Sequence, residues 1–156
     1  MQQLYEVLLG NKNKIYYQTK FEQFDTKGPG LKASWNWPAF FVGGLWALYR
    51  KMYGWFFILL GVFFVSNALE KAEASGLGAV VVTIPWIAYA IFANSLYQNN
   101  LKKKIAEAKI TIKDENKLIE YLRYKGGVHT WVIWVFGGIL VIGILAAILI
   151  PMLVGK

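Results

Sequence analysis

The side chains of this 156-residue sequence that could do acid–base, metal or anion chemistry are one histidine, nine acidic residues and seventeen lysines and arginines. There is no cysteine, which removes thiol nucleophiles, thiolate metal sites and disulfides. His129 is alone, so a multi-histidine metal site cannot form, and no nearby serine completes a nucleophilic triad. Thr130 beside it suits a helix cap better. Asp114, Glu115 and Glu120 lie among lysines, as on the solvated side of a helix, and ordinary surface charge accounts for them. Gly126-Gly127 reads as a helix stop and not as a phosphate loop, and no P-loop, dinucleotide fingerprint or paired-metal spacing occurs. The residues therefore point away from an enzyme and imply no catalytic residue, no cofactor and no metal.

The positive charge is the remaining chemistry, and its placement decides what it is for. Seven Lys and Arg precede Gly54, one lies between Glu70 and Ser75, eight lie between Gln98 and Thr130, and Lys156 ends the chain. A net charge of +8 on a soluble protein would raise nucleic-acid binding. Here the charge flanks long stretches that carry none: Gly54 to Leu69, Gly76 to Tyr97 and Trp131 to Gly155. A bilayer core of about 30 Å takes roughly 20 helical residues; the second and third stretches meet this, and the first falls slightly short but can be extended by Tyr53 and adjoining residues. Lys/Arg-rich short segments stay on the cytoplasmic side, so the N-terminal segment and the long basic loop are expected inside, the short loop and the C-terminus outside. No nucleic-acid partner is implied; anionic headgroups are.

The elements that must position these groups follow from pattern. The expected fold is an all-α integral membrane protein with three transmembrane helices, a short re-entrant or interfacial helix and short cytoplasmic helices. Residues 1–33 form a cytoplasmic amphipathic segment in which Tyr17, Phe21 and Phe24 share a helix face, closed by the Gly28-Pro29-Gly30 turn. Residues 34–53 hold the interfacial element, with Pro38 at a first helical position. Its apolar part, Trp37 to Tyr49, spans only about 20 Å as a single helix, too short to cross, and is apolar all round, so other helices should cover part of it. The spans are expected at 54–69, 77–97 and 131–154, with an outer loop at 70–76. Pro85 predicts a kink in the second. The 98–130 loop should contain a continuation of the second span through Leu101, Ile105 and Ala108, then a helix capped by Asp114 with Leu118, Tyr121 and Leu122 on one face. Trp35, Trp37, Trp46, Tyr49, Tyr53, Trp55, Tyr97, Trp131 and Trp134 all fall near the inner boundary, where amphipathic rings anchor. Gly143 and Ala147 make a small-xxx-small pair on the third span; contact with another helix of this chain is expected there ahead of a dimer seam.

None of the spans carries Asp, Glu, His, Lys or Arg. Proton relays, ion-coupled carriers and voltage sensors work through such residues, so coupled transport is disfavoured.

The block Ser34-Trp35-Asn36-Trp37-Pro38-Ala39-Phe40-Phe41-Val42-Gly43-Gly44-Leu45-Trp46-Ala47-Leu48-Tyr49-Arg50-Lys51-Met52-Tyr53, with Tyr16-Tyr17 and Phe21-Glu22-Gln23-Phe24 upstream, resembles the signature of a family of small bacterial inner-membrane proteins known as domain of unknown function 2628. The resemblance is closest over about residues 14–60 and implies a protein of the bacterial cytoplasmic membrane with no assigned activity. It also implies that Asn36, Trp46, Tyr49, Arg50 and Lys51 are the working surface, in contact with a partner or with lipid headgroups. The function expected is that of a non-enzymatic membrane component that binds a membrane protein partner, a second copy of itself or anionic lipid through its inner face. The alternative is a subunit of an oligomeric transporter or channel.

Overall fold

A computed structural model describes residues 2–72 and 76–154, and among these every regular element is an α-helix. The helices are α1 (Gln2–Leu9), α2 (Lys14–Thr26), α3 (Trp37–Val42), α4 (Gly44–Tyr49), α5 (Tyr53–Lys71), α6 (Leu77–Thr111), α7 (Glu115–Lys125) and α8 (Trp131–Val154). Of the outer loop expected at 70–76, residues 70 and 71 still belong to α5 and residues 73–75 lie outside the described residues, as does Lys156.

Three helices, α5, α6 and α8, are long and apolar enough to cross a membrane. In their most apolar stretches only 6% of residues in α5, 28% in α6 and none in α8 are buried by the chain itself. Aliphatic surface of that extent needs another apolar medium. α5 and α6 pack as a hairpin, closed at its far end where the Ser66 hydroxyl donates to the Gly78 carbonyl at 2.8 Å. α6 is unbroken across Pro85 and continues fourteen residues past Tyr97; at 1.5 Å per residue it is about 50 Å long. The expected continuation through Leu101, Ile105 and Ala108 is present, and all three are buried.

That protruding half of α6 is the post around which a helical layer is built. α1 packs on α2, α6 and α7, and α2 also packs on α6. Tyr17, Phe21 and Phe24 of α2 face inward as their spacing requires, and α1 adds Leu4, Tyr5, Leu8 and Leu9. α7 starts at Asp114, whose carboxylate accepts from the Lys117 amide at 2.8 Å, and buries Leu118 and Leu122, leaving Tyr121 41% exposed. Its end is fastened to α1 by the Gly127 amide donating to the Leu8 carbonyl at 2.8 Å. A Cβ on Gly126 would sit 2.7 Å from that carbonyl oxygen, so only glycine allows this approach.

Two expectations require correction. Trp37 to Tyr49 is not one helix. Gly43, at φ 45° and ψ −117°, breaks it into two six-residue helices, because the chain turns there against the Trp86 ring, 2.6 Å from where a Cβ would stand. Each half is about 9 Å long, α3 packing on α6 and α4 on α5 and α8, so other helices do cover part of the segment. Second, the small residues of α8 meet no helix of this chain: a Cβ on Gly137, Gly138 or Gly143 would find nothing within 4 Å. α8 starts at the layer, touching α4, and is otherwise uncovered.

Candidate functional site

Two polar constructions sit where the apolar helices meet the layer. The first is internal. An extended stretch lies along α6, with the Ser34 amide donating to the Ile91 carbonyl at 2.8 Å and the Asn36 amide to the Ala90 carbonyl at 3.0 Å. Asn36 then caps α3 by accepting from the Ala39 amide at 2.8 Å, while its own amide donates to Asn94 Oδ1 at 2.7 Å. Asn94 in turn donates to Ser34 Oγ at 3.1 Å and to the Tyr16 hydroxyl at 3.2 Å. Both asparagines are buried, and a buried amide is tolerated only with its partners made.

Beside this couple lies Arg50, 2% exposed. Its guanidinium lies over the ring of Tyr17 at 4.4 Å, with Tyr97 at 5.3 Å and Tyr49 at 5.4 Å, and donates to the Lys12 carbonyl at 3.3 Å. The charge is thus held by ring faces and a carbonyl instead of a carboxylate. Burial pushes the Tyr17 phenol up from its ordinary value, with the Arg50 charge opposing.

The second construction opens to solvent. A cleft of about 590 Å³ lies between the start of α5, the protruding half of α6, and α7 with the loop after it. Lys51, Lys104, Lys125 and His129 line it, with Tyr53 and Glu107. Backbone carbonyls orient two of the ammonium groups: Lys51 donates to the Gly126 carbonyl and Lys104 to the Lys51 carbonyl at 3.2 Å. Lys51 holds a left-handed backbone, φ 57°, as the chain turns from α4 into α5. Burial lowers the pKa of Lys51 from its ordinary value, and the Lys125 charge adds to this. Burial likewise lowers Lys104, with Lys51 and Lys125 pushing the same way and Glu107 opposing. His129, hydrogen-bonded through Nε2 to the Tyr53 hydroxyl, is lowered by burial and by Lys51 and Lys104. Glu107 also reaches out to Lys103 at 3.8 Å. These cations repel one another and are incompletely neutralised, which favours an anion in the cleft.

The model of a family described as a protein of unknown function, DUF2628, matches residues 10–103. The chain belongs to the DUF2628 family. No curated protein and no solved structure matches it. The DUF2628 segment contains the whole Asn36–Asn94 couple and the Arg50 cage, whereas the cleft straddles its end: Lys51 and Tyr53 lie within it, Lys104, Lys125 and His129 beyond.

Of the five residues expected on a working surface, Asn36, Trp46 and Arg50 are buried in this chain's own core and Tyr49 and Lys51 are partly exposed. Only Lys51 lines the cleft. Among the aromatics expected at the inner boundary, Trp46 and Tyr97 are core residues, while Trp37, Trp131 and Trp134 are exposed, at 61%, 48% and 80%. Sequence reasoning missed Asn94 and Gln98, although both interrupt the apolar run of α6. Gln98 donates to Asp25 at 3.0 Å, and Lys102 pairs with the same carboxylate at 2.7 Å. It also missed the convergence of Lys104, Lys125 and His129 on Lys51, which no local spacing encodes.

Proposed function

We propose that this protein is a three-span component of the bacterial cytoplasmic membrane, with its N-terminus inside and its C-terminus outside. It works without catalysis, through the helical layer at its inner face, which engages anionic lipid headgroups. One observation carries the reading: all Lys and Arg except Lys71 and Lys156 belong to the layer and its junction with the apolar helices, so a folded cationic surface stands where charge would meet headgroups. α3 and α4 lie at the membrane's inner boundary in this reading, supported by their shortness and by the exposed Trp37 and Phe41 of α3.

The test is the lipid that co-purifies with the full chain from bacterial membranes. Anionic lipid should be enriched over its bulk fraction, and neutralising the exposed Lys103, Lys109 and Lys113 together with glutamine should reduce the enrichment, each lysine contributing about 1 kcal/mol near the surface. A bulk-like lipid ratio around the unmodified chain would refute the reading.

A further inference from the structure

The cleft between α5, α6 and α7 differs from the rest of the cationic surface. Elsewhere in the layer Lys14 pairs with Glu6 at 2.9 Å and Lys102 with Asp25, while Lys32 and Lys113 each donate to carbonyls within four residues of themselves. In the cleft, Lys51 and Lys104 are partly buried and held by backbone carbonyls, which position an ammonium without neutralising it. Lys125 approaches from α7, over the rings of Tyr121 and Tyr124 at 5.8 and 5.9 Å. Three cations thus face one carboxylate, Glu107, which leaves an excess suited to a doubly charged anion. The volume, about 590 Å³, falls within the ~300–1,000 Å³ usual for small-ligand sites, so it has room for what a phosphate is attached to. Its rim is also the membrane junction, since Tyr53 opens α5 and His129 lies two residues before α8.

We infer that this cleft is a binding site for a phosphomonoester dianion, with Lys51, Lys104 and Lys125 as its counter-charges and the Tyr53–His129 pair at its rim. The phosphate can belong to the headgroup of a phosphatidate-type lipid or to a soluble phosphorylated compound. The lipid source rests on the proposed membrane placement of the layer; the site itself does not.

Occupancy is read from lysine reactivity. With the full chain in nanodiscs of phosphatidylcholine, acylation rates of Lys51, Lys104 and the exposed reference Lys103 are compared by mass spectrometry in inorganic phosphate and in chloride of equal ionic strength. They are compared again in discs containing phosphatidic acid. A dianion within a few ångströms favours the charged amine enough to cut the reactive free form about tenfold. Acylation of Lys51 and Lys104 should therefore fall about tenfold, with Lys103 unchanged in phosphate and protected less than they are in phosphatidic acid discs, and Lys125→Gln, at an exposed position, should weaken the protection. Protection in phosphatidic acid discs alone identifies the lipid, and protection by inorganic phosphate alone the soluble ligand; either supports the site. Equal rates under all conditions, with the chain's melting temperature unchanged, overturn it. Loss of anionic-lipid enrichment with this protection intact would sink the broader membrane-face reading and leave the cleft standing.

Discussion

The Arg50 cage makes a prediction that separates folding from binding, because a buried guanidinium held by rings behaves unlike an exposed basic contact. Two substitutions, Arg50→Met and Tyr17→Leu, probe it. Contact between a desolvated cation and a ring is worth about 2 kcal/mol, and Tyr17 gives Arg50 its nearest ring, at 4.4 Å. Tyr17 also meets Tyr16 and Tyr97 edge to face at 4.9 and 5.1 Å, contacts worth about 0.5–1.5 kcal/mol each. Tyr17→Leu should thus cost roughly 3–5 kcal/mol by summing these contributions, since it leaves the guanidinium buried with less to hold it. Arg50→Met loses the same stacking and the bond to Lys12, but it also removes a charge whose desolvation costs several kcal/mol. Its net cost should be small, about 0–2 kcal/mol, because an apolar residue of similar length can replace a buried ion with little loss. In the double variant the second change should cost about 2 kcal/mol less than it does alone. Equilibrium unfolding in detergent, followed by tryptophan fluorescence, measures all four corners of the cycle. Additivity within about 0.5 kcal/mol would refute the cage. A large penalty for Arg50→Met alone would show that the charge has a stronger partner than the rings.

Three further outcomes follow from single sites. Gly43→Ala should destabilise by about 2–5 kcal/mol, combining a strained positive φ with overpacking against Trp86, whereas Gly61→Ala, where a Cβ meets nothing within 4 Å, should leave the same melting curve unmoved; equal behaviour of the two would refute the turn. Asn94→Leu strands the buried Asn36 amide and should cost at least about 1–3 kcal/mol, read from the same unfolding titration, with a neutral result contradicting the couple. The His129 imidazole, followed by NMR, should titrate below its ordinary value of about 6.5 and move upward in Lys51→Gln. Because its folded pKa lies below the unfolded value of about 6.5, the contribution of the neutral ring is fully present above about 6.5 and is lost as pH falls from there through the folded pKa; an unshifted titration would disconnect His129 from the cleft charges.

How legible all this was in the sequence depends on the range of the interaction. The three long apolar helices were legible because each is a continuous apolar run, and the α7 helix because Asp114 and Gly126 punctuate it within a few residues. The inward face of α2 followed from the three- and four-residue spacing of Tyr17, Phe21 and Phe24. The break at Gly43 was hidden, since its cause is the ring of Trp86, far along the chain, and its neighbour Gly44 sits in ordinary helix. α1 went unread for a different reason: Leu4, Tyr5, Leu8 and Leu9 do recur at helical spacing, but eight residues make a marginal helix alone, and what covers them includes α6 and α7, the latter more than a hundred positions away. The polar site was least legible. Arg50 next to Lys51 reads as a surface pair, yet one side chain points into an aromatic core and the other into the cleft, because the left-handed backbone at Lys51 turns them apart.

The clasp between Leu8 and Gly127 also orders how the protein is made. The Leu8 carbonyl cannot find its final partner until the ribosome has delivered α7 and Gly127, by which time α2 and α6, the other helices that α1 packs on, have already been synthesised. Until then only the part of α1 that α7 covers stays open, since α2 and α6 already flank the rest. The clasp therefore ties the first helix of the layer to its last, and it can close only after the α5–α6 hairpin has been made.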